Sequence, residues 1–283
     1  MQAIKDTIQA MGTRLNWASD KYCFKHDKEK FPTGIQMLER QKGSGEFECP
    51  MCFREGNNNV LEKEYSEIKN EQKLMAKFNT LIKRSIVPDK TILDARFNTY
   101  QLKEDEHEAR KNARLMTQYA EEIISGQVFN IFLNGTPGVG KSHLSYSLLH
   151  RVNNNSNKEK SCLFIDFDQM LREIRGAYDN PDSIYTEFYF TKLLSDVDVL
   201  VLDDLGAEVG NEDTNKKASD FIGRMLRAIS NARQDKVTII TTNLSGGKLN
   251  VIYDSKTLSR LNKNAKVVLF KETKDKRSVD LGF

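Results

Sequence analysis

Residues 130–142 read NIFLNGTPGVGKS: an apolar run, a glycine-rich turn that satisfies G-x-x-x-x-G-K-[ST] across residues 135–142, and the start of a helical pattern that continues as HLSYSLLHRV. Strand, loop and helix occur in the order this motif requires. The glycines let consecutive backbone N–H groups turn toward phosphate oxygens, and the helix start adds further donors and the positive end of its dipole. The motif predicts a nucleoside triphosphate site formed by Gly135, Thr136, Pro137, Gly138, Val139, Gly140, Lys141, Ser142 and His143. Lys141 is expected to reach the β- and γ-phosphates and Ser142 to hold Mg²⁺.

Downstream, residues 197–204 read VDVLVLDD, a buried strand pattern ending in two carboxylates. At the carboxyl end of a parallel strand, Asp203 is expected to face Mg²⁺, and Asp204 to orient and deprotonate an attacking water. The next apolar run, VTIITTN, ends in Asn243, which can hold that water against the γ-phosphate or serve as a turn cap. Seventeen residues later, SRL places Arg260 in a helical context, where an arginine can reach a phosphate held by a neighbouring subunit. Arg260 is weak alone; the order of the four features gives it weight.

NIFLNG, SCLFIDF, DVLVLDD and VTIITTN are near-continuous apolar runs separated by segments long enough for a helix each. That alternation predicts a parallel sheet buried on both faces. At 283 residues the chain has room for two domains. Three of its four cysteines, Cys23, Cys49 and Cys52, fall near His26 at the N-terminal end. Cys23-x-x-His26 and Cys49-x-x-Cys52, 22 residues apart, predict a closed tetrahedral Zn²⁺ site that is structural, since no coordination position is left for water. The stretch FREGNNN after Cys52 is expected to end this module as a loop. His107, His143 and His150 lack ligand spacing and read as ordinary helix residues, and Cys162 as a buried strand residue.

From residue 60 to 84, Leu61, Tyr65, Ile68, Met75, Phe78 and Ile82 recur at mostly three- and four-residue spacing among charges, as in an amphipathic connector helix; a partner-binding face is the second reading. Residues 104–125 give another charged helical pattern. The expected domains are a zinc module (1–58), a helical linker (59–94) and an ATPase domain (95–283).

The overall balance of 43 basic to 40 acidic residues conceals an asymmetry: residues 131–223 are net acidic, whereas residues 224–277 carry 13 basic and 4 acidic side chains. The basic stretch is a candidate polyanion-facing or subunit-facing surface. Lys5 and Asp6 interrupt the N-terminal segment where an export signal needs apolar residues, and no apolar run is long enough to span a bilayer. A cytoplasmic protein with no membrane partner is expected.

At GTPGVGKS, VLVLDDLG, NARQDKVTIITTN and SRL, together with the lead-in VPDKTILDARFNTY, the chain resembles AAA+ helicase loaders of the DnaC/DnaI type, in a phage-encoded version. The resemblance covers residues 89–283. It implies an α/β P-loop fold, a five-stranded parallel sheet in an αβα sandwich with little or no lid. It also implies slow ATP hydrolysis with Mg²⁺, coupled to placing a hexameric replicative helicase on single-stranded DNA, and self-association through the ATPase domain. By the same resemblance Arg260 is an arginine finger acting in trans and Arg277 a late phosphate-sensing arginine. Tyr178, Tyr185, Phe188 and Tyr189, near Arg172 and Arg175, could stack on bases, with core packing the favoured reading. The zinc module resembles the N-terminal arrangement of DnaI, whose module binds the helicase; helicase, DNA or the chain's own ATPase domain remain open as its contact. An IstB-type transposition-helper ATPase and a non-hydrolysing ATP-binding adaptor are the alternatives.

Overall fold

The computed structural model describes residues 17–40, 43–209 and 217–277. The N-terminal segment bearing Lys5 and Asp6 lies outside the described residues. The chain divides into two compact units, residues 1–72 and 73–283.

In the first unit, β1 (Trp17–Cys23), β2 (Ile35–Glu39) and β3 (Phe47–Glu48) form an antiparallel sheet in that order. The helix α1 (Pro50–Arg84) follows and continues into the second unit. Proline opens it because the first helical position needs no N–H donor, and the Cys49 carbonyl accepts the first turn's bond from Phe53 N at 2.9 Å. FREGNNN, expected as a loop, is therefore helical. Glycine and asparagine are poor helix formers, with Gly56 costing about 1 kcal/mol relative to alanine. The proline start and the long run of Glu, Lys and Leu beyond residue 60 outweigh them.

The second unit carries α2 (His107–Ile124), β4 (Ile131–Gly135), α3 (Lys141–Asn155), β5 (Cys162–Asp166), α4 (Phe167–Ala177), α5 (Glu187–Asp196), β6 (Val199–Asp203), α6 (Asp220–Ala232), β7 (Val237–Thr242), α7 (Gly246–Ile252), α8 (Ser255–Leu261) and β8 (Lys266–Phe270). The five strands β4 to β8 pair in parallel in the order β5-β6-β7-β4-β8. Alternation along each strand sends one set of side chains to each face. Ile131, Leu133, Phe164, Val201 and Ile239 pack on one face against α2 and α3, and Phe132, Leu163, Ile165, Leu202 and Ile240 on the other against α4 to α8. The result is the expected αβα sandwich. Among the described residues no helix follows β8.

β8 was not singled out as a strand in the sequence, because Val267 and Leu269 on this edge strand remain exposed and lysines flank the run at 266 and 271. Asn112 caps it, donating from Nδ2 to the Leu269 carbonyl at 2.8 Å.

Candidate functional site

Strand order decides which groups meet. β7 lies between the P-loop strand β4 and the acidic strand β6, so the ends of three adjacent strands present the glycine loop, Asn243 and the Asp203–Asp204 pair to one place. A cavity of about 350 Å³ opens there, lined by Pro137, Gly138, Gly140, Lys141, Ser142, His143, Asp204, Asn243 and Arg277 among others. Its size is within the roughly 300–1,000 Å³ of small-molecule sites.

The loop conformation explains its glycines. Gly138 and Gly140 have φ of +82° and +94°, and a Cβ on Gly140 would come within 2.4 Å of the Tyr100 ring. The buried Lys141 ammonium donates to Gly135 O (2.8 Å), Thr136 O (2.9 Å) and Asn243 Oδ1 (2.7 Å). Burial lowers its pKa, opposed by the nearby charges of Asp204 and Asp203. Asp203 is buried and accepts from Thr241 Oγ1 at 2.6 Å and from the Ser142 side chain. Burial first, and the Asp204 carboxylate second, push it up to about 7. A buried carboxylate beside a hydroxyl, short of compensating charge, is a fitting donor pair for a hard divalent cation. Asp204 has φ +53°, a left-handed conformation that costs a non-glycine residue energy and recurs at functional sites. The Asp204 N–H donates to Thr241 Oγ1 (2.9 Å) and the Leu205 N–H to Thr241 O (2.9 Å), holding this turn.

His143 does not point along the phosphate loop. Its ring lies 5.4 Å from Tyr100, and Nε2 donates to Arg96 O at 2.9 Å, which fastens the lead-in segment to α3. Gly135, Thr136 and Val139 shape the loop through their backbones; the Val139 carbonyl accepts from Tyr100 OH at 2.8 Å. Arg277 lines the cavity, close enough for its charge to act on Lys141 and Asp89. Arg260 does not: it lies on α8, where its guanidinium donates to Lys256 O at 3.3 Å.

Several lining residues escaped the sequence reading. Asp89, Thr91, Ile92, Thr99, Tyr100 and Gln101 form one wall from the lead-in. Lys276 lies in the chain after β8, its N–H donating to Gly138 O at 3.0 Å and its ammonium to Glu106 at 2.7 Å. The tail is held by Glu108, whose carboxylate accepts from the N–H groups of Lys271, Glu272 and Thr273. Thr241 is the other omission; the TT doublet before Asn243 was its only trace in the sequence. Beyond Asp204, the turn passes through Gly206, whose φ of +103° favours glycine and where a Cβ would come within 2.4 Å of the Leu244 side chain. Glu208 follows, accepting from Gly206 N (2.8 Å) and from the hydroxyl of buried Tyr253, the residue that closes α7 just before the Asp254-capped helix α8.

The aromatic segment departs from the core packing favoured by sequence. Tyr178 and Phe188 are 66% and 76% exposed and Tyr185 is also exposed; Tyr189 is the one that packs against the apolar face of the sheet.

In the first unit, Cys23 at the end of β1, His26 in the following turn, Cys49 and Cys52 bring four ligand atoms within 4.8 Å of one another. Cys23 Sγ and Cys52 Sγ are 3.7 Å apart, and His26 Nε2 is 3.3 Å from Cys49 Sγ and 3.2 Å from Cys52 Sγ. With Zn–S bonds of about 2.3 Å, a tetrahedron has edges of about 3.8 Å, so the spacing fits a zinc ion and no disulfide. Burial and the neighbouring Cys23 and Cys49 push the Cys52 thiol up to about 11, so the cluster ionises fully only with a cation to balance it. His26 Nδ1 faces Glu55 at 3.4 Å, an outer carboxylate that orients the ring.

Comparison with known proteins agrees with this architecture. The sequence profile of the family described as IstB-like ATP binding protein matches residues 51–273. The replicative helicase loader DnaC of Escherichia coli K12 is 26% identical over 184 residues, which are 65% of this chain and 64% of DnaC; the match thus spans less than two thirds of that relative. A crystal structure of the DnaC helicase loader superposes with a TM-score of 0.50 at 22% identity, covering 64% of this chain and 99% of that one. A crystal structure of DnaI gives a TM-score of 0.47 at 19% identity, covering 71% and 99%.

Proposed function

This chain belongs to the IstB-like ATP binding family, and on that premise we propose that it is an AAA+ ATPase that loads a hexameric replicative helicase onto single-stranded DNA when replication starts. The observation that carries the ATPase reading is the gathering of Lys141, Ser142, Asp203, Asp204 and Asn243 around one cavity. The similarity to a replicative helicase loader supports the choice of partner.

Lys141 and the loop amides bind the phosphates, while Ser142 and Asp203 would hold Mg²⁺, whose charge offsets that building on the transferred phosphoryl group. Asp204 orients the attacking water and takes its proton as the new P–O bond forms and ADP leaves with the electrons of the broken one. Asn243 positions that water from the neighbouring strand. Arg277 faces the same cavity, whereas Arg260, outside it, would serve the site of an adjoining subunit in a self-assembled ring or spiral. Tyr178 and Phe188, exposed in the segment that follows Arg172 and Arg175 in sequence, offer stacking surfaces for single-stranded DNA. The zinc ion would hold the N-terminal module in shape through Cys23, His26, Cys49 and Cys52.

The competing reading, a transposition helper of the IstB type, draws on the family description. A pull-down with the cognate hexameric helicase, with and without ATP, separates the two. ATP-dependent capture of the helicase is expected; capture of a transposase in its place would overturn the loader assignment.

A further inference from the structure

Helix α1 presents an apolar stripe that remains exposed among the described residues of the first unit. Leu61, Tyr65 and Ile68 are 54%, 67% and 56% exposed, and they recur at intervals of four and three. Extended over the helix, these intervals place Asn58, Leu61, Tyr65, Ile68, Gln72 and Met75 on one seam. This is a heptad repeat, with Leu61 and Ile68 at d and Tyr65 at a. The seam differs from the wider apolar face of a helix lying on a globular core.

The flanking charges say what covers it. In this register Glu64 occupies g and Lys69 the e position of the next heptad. Two such helices side by side in parallel place Glu64 of each against Lys69 of the other, giving two reciprocal ion pairs and no like-charged g–e contact. An antiparallel arrangement pairs g with g and e with e instead, so its Glu62–Lys69 pairs are offset by repulsion between Glu64 and Glu71, and the parallel arrangement, with attractive contacts and no repulsive one, has the better balance. Neither Glu64 nor Lys69 has an ion-pair partner among the described residues. Asn58 and Gln72, polar at a positions on either side of Tyr65, weaken the coil while fixing its register.

We propose that residues 57–72 of α1 form a short parallel coiled coil with the same segment of a second copy of this chain. This contact is separate from any assembly of the ATPase domain and depends on none of the chemistry proposed above. With so few apolar layers it is weak, and a second contact between the same two chains would strengthen it through effective concentration.

The test is sedimentation of the full, zinc-loaded chain without nucleotide across a concentration series. The wild type is expected to move toward twice the monomer mass. Leu61→Glu with Ile68→Glu should leave monomer, with zinc content unchanged. Glu64→Lys alone, and Lys69→Glu alone, should each weaken the dimer by about tenfold. An equimolar mixture of those two should regain it, because the mixed pair restores opposite charges at both contacts. Three outcomes would overturn the proposal: a wild type that stays monomeric throughout, a dimer unaffected by the seam and charge variants, or a monomer whose helicase capture alone is lost in Leu61→Glu with Ile68→Glu. The last would assign the stripe to that partner.

Discussion

Lys141 places its ammonium on two loop carbonyls and on Asn243, so one side chain joins the P-loop to the neighbouring strand end. Lys141→Ala is expected to abolish ATP binding in an equilibrium titration, and unchanged affinity would sink the assignment. Arg260, outside its own cavity, should behave differently. Arg260→Ala is expected to bind ATP normally and lose hydrolysis, by about 10³-fold or more if it acts as an arginine finger. Mixing it with Lys141→Ala should restore part of the activity; an inert mixture argues against action in trans. Glu208 gives a pH prediction. Burial holds its carboxyl above the ordinary range, with the Tyr253 hydroxyl bond opposing. A raised folded pKa means stability is full where both folded and unfolded forms are protonated and falls as pH rises through the raised value. Glu208→Gln can accept from Gly206 N with its amide oxygen and turn its amide NH2 to donate to the Tyr253 hydroxyl, without the charge, so its Tm should exceed wild type at about pH 8 and the gain should shrink toward about pH 5. A gain independent of pH would refute the burial argument.

Among the elements, those whose residues carry their own explanation were legible in sequence. β4, β5, β6 and β7 are apolar on both faces because both faces are covered, and the glycine loop is forced by positive φ at Gly138 and Gly140. β8 was not, since an edge strand keeps one side in water. Nor was the helical start of α1 at Pro50, where a proline suited to the first helical position is followed by the poor helix formers Gly56 and Asn57 to Asn59. Cys23, His26, Cys49 and Cys52 were readable from spacing, whereas Glu55 follows only from the helix that brings it under His26. Glu55→Ala should weaken zinc binding by about 10- to 100-fold in a chelator competition, and unaltered affinity would remove its orienting role. The aromatic segment between α4 and α5 is another case: tyrosine content suggested core, and only the packing reveals which rings are left over. Replacing Tyr178 and Phe188 together by alanine is expected to lower single-strand affinity by about tenfold or more, given roughly 1–3 kcal/mol per stacked base. Equal affinity in a fluorescence titration would return both rings to the bland class of surface aromatics.

At the scale of the whole molecule, the near-neutral charge conceals a division of labour along the chain. The acidic stretch contributes the glycine loop and Asp204 to the nucleotide cavity, and part of the basic excess after residue 224 is already committed: Lys266 to Glu122, Lys276 to Glu106, Arg227 to Asp254. The lead-in was visible in sequence only through its resemblance; its place as a wall of the cavity was not, because residues 89–101 have no repeating pattern and their role comes from the bonds between Tyr100 and Val139 and between Arg96 and His143, 39 and 47 positions apart. The Glu208–Tyr253 contact carries a consequence at this scale. It ties the turn that bears Asp204 to the residue on which α8, and with it Arg260, is mounted. In an assembly where each Arg260 serves the adjoining site, a subunit could not reset its own acid without shifting the arginine it lends. Turnover would then pass around the assembly in sequence, each step setting the timing of the next.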